Sequence, residues 1–262
     1  MIRRILAGYS VEFANAIRLR STYIGPGMVA LTISLLTFQY PVARDAVSDY
    51  GFVAVAVPTA IDLVGVFMIL VYCTTLISMD MGSGVVRMIL VRPLRRREYF
   101  AAKLLMGWTY ALVLMGIAVT LSVTIALLAG ELSGIYYGDA VIYTGAQMRD
   151  ALLIASGLNI LPIFATVNFA LFMSTLFRSR GIAFGLAIFT WIAFDLLKHP
   201  FGVEEFFFTT YLEHSWNVFS DRCNALPADW LSTAPWASAI SGLWIIGLSV
   251  LSMVVLNRRD FS

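Results

Sequence analysis

The chain has 262 residues, of which 60% are hydrophobic and only 13% are charged, with 18 Lys and Arg against 16 Asp and Glu. Its mean hydropathy is +0.83. Soluble domains carry about a quarter charged residues, so this composition excludes an ordinary soluble protein and predicts an integral membrane protein. The sequence contains no Gly-x-x-x-x-Gly-Lys-[Ser/Thr] phosphate loop, which excludes a P-loop ATPase within this chain.

Residues 1–23 are predicted to form an amphipathic helix that lies in the membrane interface. Basic residues on such a helix would face anionic lipid headgroups. The alternative interpretation is a solvated basic leader. The apolar positions recur at spacings of three and four, and polar residues fill much of the remaining surface: the apolar set is Ile2, Ile5, Leu6, Tyr9, Phe13, Ala16 and Ile17, and the polar set is Arg3, Arg4, Glu12, Asn15 and Arg18.

Residues 24–262 are predicted to form a six-span membrane domain, because a spanning helix needs about 20 mostly apolar residues. The fifth span is short, and we expect it to continue as a broken helix after Pro200. We therefore expect an all-α integral membrane protein with six transmembrane helices, preceded by the N-terminal amphipathic helix and with a short cytoplasmic helix between spans two and three. The six apolar segments are 24–40, 52–78, 104–129, 151–176, 181–197 and 235–256.

The placement of the basic residues predicts the topology. With both termini inside, 14 of the 18 Lys and Arg residues fall on the cytoplasmic side, as the positive-inside rule requires. Segment 79–103, between spans two and three, is then a cytoplasmic loop, and segment 198–234 is an outer loop.

The loop 79–103 has room for a short helix. Residues 80–91 contain no proline, whereas Pro93 would end a helix. Asp80 would suit the N-terminus of such a helix, where the dipole favours a negative charge. Its apolar residues need a partner or the membrane surface, and they are Val85, Met88, Ile89 and Val91. The alternative is a loop that merely follows the positive-inside rule.

This loop carries a resemblance to a known family. The register formed by Asp80, Gly84, Pro93, Arg96, Glu98 and Lys103 resembles the first cytoplasmic loop of the type-2 ABC transporter permeases, the ABC-2 group. The interfacial helix before span one, the short turn at residues 177–181 and the basic tail at 257–260 are also similar to that family. Two positions depart from its pattern: Asp80 stands where Glu is common, and Val85 stands where Thr is common.

The resemblance implies a permease subunit of an ABC exporter in the plasma (inner) membrane of a prokaryote. The implied partners are two copies of a separate cytoplasmic ABC ATPase, a second permease subunit (identical or different) and membrane lipids, with no nucleic acid. ATP and Mg would be bound by the ATPase and no cofactor by this chain, which is then no enzyme. The loop would contain a coupling helix, with coupling residues Asp80, Gly84, Val85, Arg87, Met88, Pro93, Arg96, Glu98 and Lys103. The family's substrates imply an amphipathic or hydrophobic cargo.

Polar residues inside the spans are candidates for the translocation path. Asp62 lies deep in span two, where an ionisable residue normally faces a cavity, a partner or a proton path. A path role and a helix-packing role remain equally open for it. Thr166 and Asn168 in span four are further path candidates, and we expect them to make interhelical hydrogen bonds.

The outer loop offers two weaker signals. His199, His214 and Cys223 have no compact metal-ligand spacing, so we expect no metal site. The aromatic segment 206–219 is interpreted as an interfacial or re-entrant cap, with lipid-like substrate contact as the alternative.

Two other functions remain possible on the sequence alone. A membrane enzyme would need paired catalytic residues at depth or a His-Glu-x-x-His motif, and neither occurs. A non-transporting anchor or sensor that recruits cytosolic partners would explain the basic loop but not the polar groups at depth.

Overall fold

The protein is described here by a computed structural model, which covers residues 2–39, 49–82, 95–130, 132–137, 140–227, 229–230 and 232–258. The helices of these residues are α1 (Ile2–Arg18), α2 (Ile24–Gln39), α3 (Tyr50–Pro58), α4 (Val66–Gly82), α5 (Arg96–Ala129), α6 (Gly145–Leu176), α7 (Arg180–Lys198), α8 (Thr210–Cys223) and α9 (Ala234–Arg258). A π-helical segment, Thr59–Gly65, joins α3 to α4. Short 3₁₀ turns at Arg20–Tyr23 and Glu204–Phe206 precede α2 and α8.

Six helical segments of the described chain are long and apolar enough to cross a membrane, which confirms the predicted multi-pass α-helical protein. They are Arg20–Gln39, Tyr50–Gly82, Arg96–Leu128, Gly145–Leu176, Arg180–Lys198 and Ala234–Arg258. Successive spans alternate in direction. We call the end of the bundle that contains Gly82 and Arg96 the loop end. The opposite end, which contains residues 135–143, is called the hairpin end.

Several spans begin earlier than their apolar cores, because polar residues cap them. The Thr144 N–H donates to Oε1 of Gln147 at 2.9 Å, and the Gln147 N–H donates to Oγ1 of Thr144 at 3.4 Å. This reciprocal pair satisfies two of the free N–H groups that every helix start carries. Helix α6 therefore begins at Gly145 rather than at the predicted residue 151.

Span two is one continuous helix with an irregular middle. Pro58 cannot donate a backbone hydrogen bond, and the π-helical segment Thr59–Gly65 follows it directly. A π segment adds a residue to the turn, so it shifts the faces of α3 and α4 relative to each other. The hydropathy pattern, which is apolar all round, does not predict this change.

Helix α6 is the central element of the bundle. It packs against α4, α5, α7, α8 and α9, and about half of its residues are buried. They include polar residues that have almost no exposed surface, namely Asn159, Thr166, Asn168, Ser174 and Thr175. Because lipid cannot bond to polar groups, these side chains are expected to bond within the bundle.

Helix α1 packs against α5 along one side, whereas the sequence indicated only an interfacial face. The side toward the protein contains Ile5, Gly8, Tyr9, Glu12 and Ala16. A second apolar side stays exposed, with Ile2, Leu6, Phe13 and Ile17 each at least 40% exposed. The exposed apolar side suits the membrane interface. Glu12, grouped from the sequence with the other polar residues of the helix surface, instead faces the protein and pairs with Lys103.

Two further expectations are corrected at the ends of helices. Asp80 does not lie at a helix N-terminus, because α4 continues to Gly82 and places Asp80 in its last turn. Span five does not continue as a broken helix through residues 201–212, since α7 ends at Lys198 and turns lead to the separate helix α8.

The hairpin end contains the only described β-structure, which the all-α prediction did not include. Strands β1 (Ile135–Tyr137) and β2 (Ala140–Tyr143) pair antiparallel, with Tyr136 opposite Val141. Helix α8 lies at the same end and packs against α3 and α6. Its residues Leu212, Trp216 and Phe219 are almost fully buried, so α8 forms a packed cap rather than a loosely anchored segment.

Candidate functional site

A buried lysine joins three helices at the loop end. Nζ of Lys103, on α5, lies 2.7 Å from Oδ2 of Asp80 on α4 and 2.8 Å from Oε1 of Glu12 on α1. The lysine side chain is only 4% exposed, whereas the carboxylates retain 22% (Glu12) and 18% (Asp80). A buried ammonium is costly unless it is paired, so Lys103 ties the ends of α1 and α4 to α5.

Tyr99 completes this cluster from the first turn of α5. Its hydroxyl donates to Oδ2 of Asp80 at 2.7 Å, and Nζ of Lys103 lies 5.5 Å from its ring centroid. Asp80 sits in the last turn of α4, where the helix dipole disfavours a negative charge. The ammonium and the hydroxyl together offset that unfavourable position.

Two helix ends meet beside the loop, and a charged residue holds each of them. Glu98 caps the start of α5, and Arg96 binds the end of α9. Oε2 of Glu98 accepts from the N–H of Arg95 at 3.0 Å, and Glu98 is buried. Nη1 of Arg96 donates to the carbonyl oxygens of Leu256 and Asn257 at 2.7 and 2.8 Å. Arginine bonds to the last carbonyls of a helix are favourable because those groups have no partner within the helix.

The described members of the sequence register therefore act within this chain. Asp80 and Lys103 pair with each other, Glu98 caps α5, and Arg96 holds the end of α9. Gly84, Val85, Arg87, Met88 and Pro93 lie outside the described residues, as does most of the helix expected over 80–91. Their contact with an ATPase stays a prediction.

A cavity of about 910 Å³ opens between α1, the 3₁₀ turn, the start of α2 and the half-buried side of α4. Its lining is mostly apolar and becomes ionic at one end, where Glu12, Asp80 and Lys103 contribute. Arg18 and Arg180, both exposed, also reach its wall. A space of this size and lining matches the sites that hold small amphipathic molecules.

Two stacked tyrosines form the inner part of this cavity. The rings of Tyr72 and Tyr110 lie 4.0 Å apart with an interplanar angle of 23°. Tyr110 approaches α2 so closely that a Cβ atom on Gly25 would collide with its hydroxyl. Aromatic faces of this kind bind apolar groups and cations, so the cavity combines a π surface with a charged end.

Asp62 lies apart from this cavity, within the π-helical segment. Its Oδ1 atom is buried and has no hydrogen-bond partner among the described residues. An unsatisfied carboxylate oxygen in a membrane helix is costly, so Asp62 remains a candidate for a functional role.

Thr166 and Asn168 do not line this cavity either. The Thr166 hydroxyl donates to the Pro162 carbonyl of its own helix at 3.0 Å. The prediction that Thr166 makes an interhelical hydrogen bond is therefore wrong. Oδ1 of Asn168 accepts from Ser249 of α9 at 2.7 Å, which confirms an interhelical bond. Both side chains are buried.

The three residues weighed as metal ligands lie in separate environments. His199 Nδ1 pairs with Glu204 at 2.8 Å, His214 Nε2 bonds to Thr233 at 2.8 Å, and Cys223 is a free, buried thiol. Burial lowers the pKa of His214 below its ordinary value. Within the described part of the chain, no three His, Cys, Asp or Glu residues come together as a metal site would require.

Sequence reasoning missed two residues of the cluster around Lys103 (Glu12 and Tyr99) and the two tyrosines of the cavity. The pairing of Glu12 with Lys103 could not be predicted, because a single acid on a basic amphipathic helix is expected to belong to its polar face. Tyr72 and Tyr110 lie in uniformly apolar spans, where periodicity does not separate an inner side from a lipid side. Only Tyr99, one turn before Lys103 on a helix that starts with a cap, could have been found by its spacing.

The sequence matches no curated protein. A family model matches residues 28–262, which is most of the chain. The match includes most of the first apolar segment and all of the other five. The chain therefore belongs to the family described as Protein of unknown function (DUF2705).

Proposed function

We propose that this chain is the membrane-spanning permease subunit of an ATP-binding cassette exporter. In this proposal it moves an amphipathic or hydrophobic substrate outward, and a separate cytoplasmic ATPase supplies the energy. The loop end is the cytoplasmic side, and both chain termini lie there. Two permease subunits, identical or different, assemble with two ATPase subunits.

The observation that carries the proposal is the closed base of the loop. Asp80 and Lys103 are the first and last positions of the six-residue register, and their side chains meet at 2.7 Å. A force applied to the segment between them would reach α4 and α5 together, because the buried ion pair joins the two helices. This is the mechanical property that a loop needs if ATPase closure is to move transmembrane helices.

The cavity supports the amphipathic character of the substrate. It extends from the ionic cluster at Lys103 to the tyrosine pair at Tyr72 and Tyr110. A molecule with a charged group and an apolar body would satisfy both ends. Asp62, Thr166 and Asn168 are the remaining candidates for the path beyond the cavity.

Purification of the chain with its native partners in mild detergent tests the proposal. We expect an ABC ATPase to co-purify, and its ATP hydrolysis to be stimulated by an amphipathic compound that the reconstituted complex transports. An ATPase that co-purifies but is not stimulated by any transported compound would favour the anchor or sensor function. Absence of an ATPase from the complex would overturn the proposal.

A further inference from the structure

A hydroxyl group from α6 enters the backbone hydrogen bonds of α4. The Ser174 hydroxyl donates to the Thr74 carbonyl at 2.6 Å. Its oxygen accepts from the N–H groups of Ile77 and Ser78, at 3.1 and 2.9 Å. Ser174, Thr74 and Ser78 have no exposed surface, so no lipid or water competes for these bonds.

These contacts fall on a single turn of α4. In an α-helix the N–H of residue 78 pairs with the carbonyl of residue 74, and Ser174 bonds to both members of that pair. A side chain that enters the backbone ladder is one of the established causes of a helix kink. The Ser78 hydroxyl also donates to the Thr74 carbonyl, at 2.6 Å, and such bonds bend helices as well.

The bonded turn lies where movement would have the largest effect. Beyond it, the described part of α4 contains only residues 79–82. Thr75, Leu76 and Met79 line the cavity, and Asp80 forms the ion pair at its edge. A change of direction at residues 74–78 would therefore alter the cavity wall and the start of the loop in one movement.

Both arrangements of this turn satisfy their polar groups. In the observed one, Ser174 bridges the turn. Helix α4 is α-helical without interruption from Val66 to Gly82, so the Ile77 and Ser78 N–H groups also have the carbonyls of Cys73 and Thr74 as partners within the helix. In the other arrangement, the two N–H groups keep only these helical partners, and the Ser174 hydroxyl returns to the Ala170 carbonyl four residues before it. No buried donor is left without a partner in either case, so a change between the two arrangements does not require water.

We propose that Ser174 is a positioning residue that makes residues 75–82 a hinged segment, and that this hinge couples the width of the cavity to the position of the loop that follows. The transport role of the hinge rests on the proposed function, whereas the hinge itself is a property of the isolated chain. The two can therefore fail separately.

Spin-label distances in the purified full chain test the hinge. One pair joins Met79→Cys on the hinged segment to Leu153→Cys near the hairpin end, both at exposed positions. The control pair joins Phe67→Cys, on α4 before the hinge, to the same Leu153→Cys. The native Cys73 and Cys223 are buried and remain unlabelled.

We expect Ser174→Ala to narrow the Met79–Leu153 distance distribution and shift its mean by about 2 Å, since a 20° kink acts over about four residues of helix. The Phe67–Leu153 distribution should not change. Thr175→Val is the matched control, because Thr175 is equally buried but its hydroxyl bonds only to Phe172 of its own helix. Identical Met79–Leu153 distributions in wild type and Ser174→Ala would overturn the hinge.

Hydrogen exchange on the wild-type chain provides a test that does not depend on a variant. We expect amides 77–82 to exchange faster than amides 69–73 of the same helix, and equal protection in the two segments would contradict the inference. If the spin-label shift occurs but no ATPase partner exists, the hinge stands and the proposed function fails. If an ATPase partner exists, we expect Ser174→Ala to lose substrate stimulation while Thr175→Val keeps it.

Discussion

Nζ of Lys103 lies 2.7 Å from Oδ2 of Asp80, so two residues at opposite ends of a loop form its closed base. The same ammonium lies 2.8 Å from Glu12. One buried charge thus holds α1, the end of α4 and the start of α5 together. The lysine pairs with both acids, and Asp80 also accepts from the Tyr99 hydroxyl at 2.7 Å, so the four side chains form one cluster.

Removal of Lys103 should destabilise the protein strongly. Lys103→Met leaves two carboxylates close together and largely buried, and breaking a buried pair in this way costs about 3 kcal/mol. For a chain of this length we expect the thermal midpoint to fall by roughly 6 to 12 °C in detergent. Arg97→Met, at an exposed position in the first turn of the same helix, is the control and should change little. A second change, Asp80→Asn, should recover part of the loss; no recovery would argue against charge as the cause.

The loop should bind the ATPase through its apolar residues. Gly84→Asp and Met88→Asp place charges on the segment that we propose as the ATPase contact, so we expect the ATPase to be lost from the purified complex while the membrane subunit is still expressed. Val141→Asp is the control, because Val141 is exposed on the hairpin at the other end of the bundle. Retention of a coupled ATPase in both loop variants would show that the coupling-helix assignment is wrong.

Thiol labelling should report the topology, but the native cysteine is a poor probe. Cys223 is 9% exposed, and burial raises its pKa to about 12. Because the thiolate is the reactive form, at neutral pH it should react about a thousandfold more slowly than an ordinary thiol, and its rate should keep rising with pH beyond 9. Leu226→Cys, at a 50% exposed position nearby, should react readily and level off near pH 9.

The same reagent distinguishes the two sides of the membrane. We expect an impermeant maleimide to label Leu226→Cys in intact cells and Arg97→Cys only after the membrane is opened. The reverse pattern would overturn the six-span orientation with the loop end inside.

Asp62 should affect transport more than stability. Its Oδ1 atom has no hydrogen-bond partner in the described part of the chain, so Asp62→Asn should remove the ionisable group without breaking a bond from that atom. We expect a near-normal thermal midpoint and altered substrate stimulation of the ATPase. A packing role predicts instead that Asp62→Leu lowers stability, although bonds of this kind in membranes average only about 0.6 kcal/mol. Unchanged stimulation in both variants would remove Asp62 from the mechanism.

Gly107 should be required for the close contact of α5 with α6. A Cβ atom there would lie 2.6 Å from Cγ1 of Val167 and 3.2 Å from Sγ of Cys73. We expect Gly107→Ala to cost about 1–3 kcal/mol through overpacking, and Val167→Ala to restore part of it. Gly116→Ala on the same helix meets nothing within 4 Å and should be neutral or slightly stabilising. Equal effects of the two glycine changes, measured by thermal unfolding, would contradict this contact.

The six spans could be predicted from the sequence because hydropathy depends on composition, which is local. Their limits could not, because Thr144 and Glu98 start helices well before the apolar runs through caps that need specific geometry. The Thr-x-x-Gln pattern at 144–147 is a readable signal for one of them. The sequence contains no marker for the π-helical segment around Asp62 except Pro58, which directly precedes it.

The candidate site was predicted only in part. The register identified Asp80 and Lys103, but their spacing of 23 residues says nothing about contact. The pairing depends on where α4 ends and α5 begins, and Glu12 joins only because α1 packs against α5. The hydrogen bonds from Ser174 to the backbone of α4 could not be predicted from periodicity either, because a serine in a span is an ordinary small residue at a helix interface.

The contact of Arg96 with the carbonyls of Leu256 and Asn257 also has a practical consequence for labelling experiments. It places the C-terminal end of α9 directly beside the residue where the chain returns from the loop. A proximity-labelling enzyme fused after residue 262 would therefore work within a short tether of anything that docks on that loop. The same fusion would modify few proteins that approach the hairpin end, which makes it a selective reporter for one face of the membrane.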